Sequence, residues 1–398
     1  MELGGPFSAH MRSICRGAPI KMSAMIIGRR MFTVLPFFGM AGGRPRSRNA
    51  PIDISYDGTK APKKLHRLLA AGYVNAVAWN GDGSRLAVLS DFGRTMDIWE
   101  AASWTVSKSF HRYGGGYSGN SLAFLPDGTL LTSAPIGRSP DPMFKTLAIF
   151  SLIQWNPDTG HPLRYIPDPG GLPAGMASKI GPADPFVVSA DGSLVAGSCM
   201  RNVLLYNTHD WSLVRRLMTP PTPKHGDFVR SLAISPDNRH LALGTGFGWV
   251  HLFGLPDCSI IASFQVYNRN HDPAHKTRIG GSCGALSFSQ DGEFLAIGRG
   301  GFSLGEIDDG WTQIWNVRSR VIIARLLGGG GSVRGIAWSR ESNLLAVGDE
   351  LLVRFWSTRK LPQPPRLLER ISNRSYSLAF SSAGMLAVSD ANEVVVYR

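Results

Sequence analysis

A short pattern recurs seven times along this chain of 398 residues and constrains the fold more than any other feature. Each copy has a short apolar run, a turn, a second run of small and apolar residues, and a third run that ends in an aromatic residue. The turns are Asp82-Gly83, Asp127-Gly128, Asp191-Gly192, Asp237-Asn238, Asp291-Gly292, Glu341-Ser342 and Ala383-Gly384. Asp-Gly between apolar runs is typical of a β-hairpin, because glycine accepts the positive φ of a tight turn.

The spacing of the copies indicates a blade of four antiparallel strands. The period is about 40 residues plus insertions, and a fourth run follows each of the first six aromatic residues. A single sheet with apolar residues on both faces is not stable alone, and stacking such sheets around an axis buries both faces. We therefore predict an all-β fold, a seven-bladed β-propeller. A β-sandwich also fits alternating strands, but it does not explain seven copies in order.

The two ends of the repeat array predict how the ring closes. The seventh copy stops at Arg398, directly after its third strand, whereas KKLHRLL (63–69) precedes the first copy and has no blade of its own. Pairing this N-terminal strand with the last blade would remove an exposed sheet edge. We expect residues 51–398 to form one propeller and residues 1–50 to be a basic tail.

These residues resemble WD40 repeats, and SLAISPDNRHLALGTGFGWVHLF (231–253) carries the resemblance best. The resemblance covers residues 72–398. No Gly-His dipeptide opens a repeat, and Asp never follows the terminal aromatic residue, so the Asp-His-Ser-Trp hydrogen-bond network of that family is not expected here. The sequence is identified as a divergent member, of bacterial type. The resemblance implies a non-catalytic scaffold that binds a protein partner.

The position of the long insertions predicts which face binds. We call top face the one that holds the connections from second to third strand and from one blade to the next. Five long segments all belong to this face: 134–145, 167–181, 218–228, 265–281 and 299–310. Insertions confined to one face of a repeat array are typical of a binding face.

One position per repeat, close to the start of its first strand, is expected to surround the central channel on that face. The seven positions are Asn75, Asn120, Asp184, Arg230, Gly284, Arg334 and Tyr376. We call them the predicted ring; all but Gly284 are polar and are candidate partner-binding residues, as the ring commonly is in WD40 proteins. The residues fit equally well as the lining of a water-filled channel.

An enzyme with its site in the channel (a hydrolase, lyase or dehydrogenase) is the alternative function. The ring offers one carboxylate, Asp184, and no histidine, which disfavours acid–base catalysis. The pair His271 and His275 is separated by Pro273, which excludes the helix that would make it a metal pair. The acidic run of Glu306, Asp308 and Asp309 lacks calcium-loop spacing. We predict no catalytic residue, metal or cofactor.

Charge and cysteines bear on partners and compartment. The net charge is +13, of which residues 1–50 supply +7, so the other 348 residues are only mildly basic and specific nucleic-acid binding is not expected. Four scattered cysteines form no metal or disulfide pattern, and Cys199 and Cys283 are predicted to be buried thiols. No apolar run has the length of a membrane span, and a monomer is expected.

The basic tail contains a possible export signal. In GRRMFTVLPFFGMAGG (28–43), Arg29 and Arg30 precede a mainly apolar stretch and a small-residue site after Ala41, which resembles a twin-arginine signal. In that case Met22 or Met25 is the start. The interruption by Pro36 leaves a plain basic tail as the alternative. The compartment is accordingly periplasmic if the signal functions, and otherwise cytoplasmic.

Overall fold

All of the chain's described secondary structure is β-strand. The structure is a computed structural model that describes residues 62–111, 121–133, 151–167, 185–199, 201–220, 227–266, 281–300, 312–326, 331–339, 343–363, 365–371 and 377–398. The strands are β1 (Lys64–Leu69), β2 (Ala76–Trp79), β3 (Arg85–Ser90), β4 (Thr95–Glu100), β5 (Thr105–His111), β6 (Leu122–Phe124), β7 (Leu130–Ser133), β8 (Ser151–Trp155), β9 (Pro162–Pro167), β10 (Phe186–Val188), β11 (Leu194–Cys199), β12 (Asn202–Asn207), β13 (Leu213–Met218), β14 (Val229–Ile234), β15 (His240–Thr245), β16 (Trp249–Gly254), β17 (Ile260–Gln265), β18 (Ser282–Phe288), β19 (Phe294–Gly300), β20 (Thr312–Asn316), β21 (Val321–Leu326), β22 (Val333–Trp338), β23 (Leu344–Asp349), β24 (Val353–Ser357), β25 (Arg366–Ile371), β26 (Leu378–Phe380), β27 (Leu386–Asp390) and β28 (Glu393–Tyr397).

The strands form seven four-stranded antiparallel sheets, which confirms the predicted propeller. Blades 1 to 6 each take four consecutive strands, from β2–β5 in blade 1 to β22–β25 in blade 6. Blade 7 has the order β1-β28-β27-β26, so that its outer strand comes from the N-terminal side of the array. The first strand of each blade is innermost, and these inner strands surround the channel.

The N-terminal strand closes the ring as predicted. Strand β1 pairs antiparallel with β28, and the amides and carbonyls of Lys63 and Arg398 exchange hydrogen bonds at the end of the pair. On the inside, blade 1 also bonds to blade 7. The Trp79 indole N–H donates to the carbonyl of Ala379 at 3.1 Å. Strand β1 thus covers the edge of β28 that the last hairpin would otherwise leave free.

The Asp-Gly turns have the conformation that their sequence predicts. Glycine lies at positive φ in all four of them and in the equivalent turn Ala383-Gly384, and Asn238 takes that position in blade 4 with φ of 58°. The preceding aspartate fixes the turn with its own carboxylate: Asp82 Oδ1 accepts from the amide of Ser84 at 2.8 Å. A short polar side chain that bonds the backbone two residues on is the Asx-turn mechanism.

Small residues in the second strands let neighbouring blades approach closely. A Cβ on Gly244 of blade 4 would lie 2.6 Å from the Cβ of Cys283 in blade 5, and a Cβ on Gly298 of blade 5 would lie 2.4 Å from Val333 in blade 6. The terminal aromatic residues fill the space further out. Tyr206 of blade 3, for example, is buried in the core that blade 2 completes. Cys283 is buried, as predicted.

Several predictions concern residues outside those described. They include the tail and export signal (1–50), His271, His275, Glu306, Asp308, Asp309, and most of the five long segments; the Cys199 side chain is also outside the described set. Within the described part of the chain, no helix has the length and apolarity needed to cross a membrane.

Candidate functional site at the top-face channel mouth

The channel opens on the top face into a cavity of about 590 Å³. The first strands of all seven blades contribute to its wall, as expected for the end of the central channel. Four ring residues line this cavity: Asn75, Arg230, Gly284 and Arg334. Asn120, Asp184 and Tyr376 lie outside the described residues, although Ser121, Pro185 and Ser377, which follow them in sequence, line the same cavity.

A β-bulge sets the ring position apart in three consecutive blades. In blade 4, Val229 pairs with Thr245 and Ser231 with Gly244, so Arg230 is an extra residue with no partner across the ladder. Gly284 of blade 5 and Arg334 of blade 6 are the extra residues of the same kind of bulge. Bulges turn a side chain away from the regular pleat and occur often beside functional sites.

Gly284 leaves the position between the two arginines without a side chain. A Cβ on Gly284 would lie 2.5 Å from the carbonyl oxygen of Val333 and 2.9 Å from the Cα of Gly300. Both contacts are with backbone atoms, which have little freedom to move, so close packing of blade 5 on blade 6 requires glycine here. The arginines of blades 4 and 6 therefore face one cavity across an open gap.

Arg230 is half-buried and makes no ion pair within the part of the chain that the structure describes. Its guanidinium carbon lies 5.8 Å from the centre of the Phe228 ring, within the range of a cation–π contact. Burial, and to a lesser degree the nearby Arg334 cation, lower the pKa of Arg230 from its ordinary value. The cation is thus held where its charge is not fully compensated.

Arg334, by contrast, has an internal carboxylate partner that sequence reasoning missed. Its Nη2 lies 2.8 Å and its Nε 3.2 Å from Oε1 of Glu350, in the turn between β23 and β24 of the same blade. Glu350 was not among the residues that the sequence singled out, and the predicted ring contains no acid other than Asp184. The two side chains are 29% and 21% exposed, so the ion pair stands at the cavity wall rather than in the core.

The residue before Glu350 forms a second, fully buried ion pair. Asp349 Oδ2 lies 2.6 Å from Nη1 of Arg354, and the two side chains are 0% and 3% exposed. The other oxygen, Oδ1, accepts hydrogen bonds at 2.8 Å from the amides of Leu351 and Leu352. Asp349 therefore fixes the turn that carries Glu350, and through Glu350 it orients Arg334.

Asn75 has a structural bond at the rim of the cavity. Its Oδ1 accepts from the amide of Gly93 at 3.0 Å, and so holds the turn between β3 and β4. That turn presents Phe92, which has a φ of 55° and is 44% exposed. Asn75 consequently contributes to the site by positioning Phe92, besides lining the cavity.

Exposed apolar side chains distinguish the two faces of the propeller. Among the described residues, nine of the large exposed hydrophobic side chains lie on outer strands, and the other three are Phe92, Phe228 and Leu351. All three belong to connections of the top face. The described turns of the opposite face carry none. Sequence reasoning missed all three because the sequence around a single apolar residue in a turn does not show whether its side chain is exposed.

The described wall of the cavity is cationic. The described lining holds two arginines but no His, Cys, Asp or Glu, and no group of three such residues gathers elsewhere among the described residues in a manner suited to a metal ion. Two buried titratable groups stand near the wall. Burial raises the pKa of the Asp227 carboxyl and of the Cys283 thiol, which makes that thiol a poor nucleophile.

The fold and this channel mouth define the class of protein: a seven-bladed β-propeller with a cationic, apolar-rimmed opening. No family model matches the chain. It is similar to "Pre-mRNA-processing factor 19 homolog 2" of Arabidopsis thaliana, 25% identical over 174 residues, which cover 44% of this chain and 29% of that protein. It is also similar to "Protein HIR1" of Kluyveromyces lactis, 27% identical over 148 residues, covering 32% and 17% respectively.

The matched regions thus span less than a third of either relative. Both relatives are WD40-repeat proteins, so the resemblance to WD40 repeats is confirmed. The bacterial-type assignment stays a prediction.

Proposed function

We propose that this propeller is a non-catalytic scaffold that binds a protein partner at the channel mouth of its top face. The residues around the partner would be those of the predicted ring: Asn75, Asn120, Asp184, Arg230, Arg334 and Tyr376. The WD40-repeat relatives support the general part of the proposal, because WD40 propellers are protein-interaction scaffolds. Exposed apolar side chains of this chain support the choice of face.

The asymmetry of exposed apolar side chains carries the proposal. Phe92 lines the cavity and is 44% exposed, Phe228 is 40% exposed beside the cavity-lining Arg230, and Leu351 is 50% exposed on the same face. Aromatic side chains at the edge of a concave site, close to an arginine, are the composition typical of the energetic centre of protein interfaces. Exposing such groups to water is unfavourable unless a partner covers them.

Site-specific photo-crosslinking tests the choice of face. A photoreactive phenylalanine analogue replaces Phe92 in one variant and Phe228 in another, and Ser103, in a turn of the opposite face of blade 1, serves as the matched control. Irradiation in extract of the source organism, followed by mass spectrometry, should give the same protein adduct from both top-face positions and none from the control. Adducts from Ser103 alone, or from no position, would refute binding through the top face.

A further inference from the structure

The two bulge arginines face the same cavity with only glycine between them. Arg230, Gly284 and Arg334 occupy equivalent bulge positions in blades 4, 5 and 6. The positive charges of Arg230 and Arg334 are close enough to disfavour each other. Glu350 compensates Arg334 from the side, whereas no carboxylate of the described chain compensates Arg230. The described wall therefore has an excess of positive charge in a space that can admit a ligand group.

We propose that this gap is an anion-binding subsite, and that it receives a carboxylate side chain from an acidic segment of the protein partner. The inference rests on the proposed function and specifies the partner's chemistry. A planar guanidinium suits a carboxylate because it donates two parallel hydrogen bonds. The Phe228 ring lies 5.8 Å from the Arg230 guanidinium carbon, and a cation–π contact of this kind uses none of the N–H groups that a carboxylate would need.

A nucleic acid fits the same cavity less well. Binding along a phosphate backbone uses a row of cations, often with aromatic platforms, that follows several phosphates. The described wall of the cavity has only Arg230 and Arg334, and the chain outside its first 50 residues is only mildly basic. One acidic side chain between Arg230 and Arg334 suits the small positive charge of this wall better than a row of phosphates does.

Binding to random-sequence peptides tests the subsite without a known partner. The full-length protein is applied to an array of short peptides, and each peptide that binds is remade with Gln for Glu and Asn for Asp. We expect bound peptides to be enriched in acidic residues and to lose about tenfold or more in affinity on amide replacement. Arg230→Gln should cause a similar loss, and Arg239→Gln, an exposed arginine on the opposite face of the same blade, should cause none.

A melting curve distinguishes this role from a structural one. Arg230 is partly buried beside another cation, so Arg230→Gln should leave the melting temperature unchanged or raise it. A lowered melting temperature with unchanged peptide affinity would show that Arg230 supports the fold, and would overturn the proposal.

Four other results would decide against the anion-binding subsite, the proposed function or both. Peptides that bind at the top face with no preference for acids would remove the anion subsite while the proposed function stands. Absence of any peptide binding, together with absence of crosslinks from Phe92 and Phe228, would remove both. A single-stranded oligonucleotide that binds in an Arg230-dependent manner while acidic peptides do not would replace the proposal with nucleic-acid binding. Binding that appears only in Asp184→Asn would show that the chain neutralises the subsite itself, and would likewise overturn it.

Discussion

The buried ion pair between Asp349 and Arg354 should be the most sensitive polar contact of blade 6. The perturbation is Arg354→Met, which keeps the length and most of the apolar contacts of the side chain but removes its charge. Asp349 would remain 0% exposed, with Oδ1 bonded to two amides and Oδ2 without its guanidinium partner. In this variant neither water nor a cation would compensate the charge of the Asp349 carboxylate.

The expected loss of stability depends on how deeply each ion pair is buried. Removing one partner of a buried ion pair costs about 3–5 kcal/mol, whereas replacing both partners by neutral groups of similar volume is often close to neutral. The pair Arg334–Glu350 provides the comparison, since its side chains are 29% and 21% exposed and pairs of that kind contribute about 1 kcal/mol or less. We therefore expect Arg354→Met to lower the free energy of unfolding at least three times as much as Arg334→Met does.

Guanidinium denaturation followed by tryptophan fluorescence measures the difference. Asp349→Asn combined with Arg354→Met should recover most of the lost stability, because the Asn Oδ1 still accepts from the two turn amides. A single Arg354→Met variant as stable as Arg334→Met would refute the reasoning. So would a double variant whose loss is the sum of the two single losses, because a coupled pair is not additive.

Three further perturbations follow from the fold and the cavity. Deletion of residues 60–70 should expose the edge of β28 and cause aggregation visible by light scattering; a deletion protein that melts like the full chain would contradict the closure. Burial lowers the pKa of His251 to about 4, so the unfolded state binds a proton near pH 5 that the folded state does not bind. The free energy of unfolding should therefore fall by about 2 kcal/mol from pH 7.5 to pH 5. Denaturant midpoints measured at both pH values should show that His251→Gln lacks this part of the decrease. Arg334→Ala should lower affinity for a partner captured at the top face while leaving the melting temperature almost unchanged, and the opposite pattern would make Arg334 structural.

The blades could be predicted from sequence because their turns are fixed by local chemistry. An Asp-Gly turn needs one residue at positive φ and one carboxylate that bonds the next amides, and both requirements are visible within four residues of sequence. Asn238 shows the limit of variation, since asparagine tolerates the same φ of 58° without being glycine. The closing strand followed from counting, because the seventh copy lacked its fourth strand.

The chemistry at the channel mouth could be predicted only in part. The ring positions follow from the repeat, and four of them line one cavity. Three of these are bulge residues, but one extra residue in an inner strand becomes visible only when its pairing with the next strand is known. The partner of Arg334 depends on that pairing too, because Glu350 reaches it from the far end of the hairpin.

The exposure of Phe92 and Phe228 depends on backbone packing, which no short sequence motif predicts. A Cβ on Gly246 would lie 2.7 Å from the Phe228 ring, so the ring packs directly on the backbone of Gly246. Phe92 is carried by a turn in which the amide of Gly93 donates a hydrogen bond to Asn75, 18 positions before Gly93 in sequence. Neither contact is local, and neither residue stands out in the repeat pattern.

The consecutive acids Asp349 and Glu350 pair with two different arginines of blade 6. This difference affects how the channel mouth would bind an acidic ligand. Asp349 compensates Arg354 completely inside the blade, and the pair holds the turn. Glu350 compensates Arg334 at the wall through a single oxygen, so Arg334 is oriented while an incoming carboxylate must compete with Glu350 for its N–H groups. Arg230 has no such competitor in the described chain. An acidic ligand should therefore draw most of its binding free energy from Arg230 and use Arg334 for alignment, so that loss of Arg230 weakens binding more than loss of Arg334.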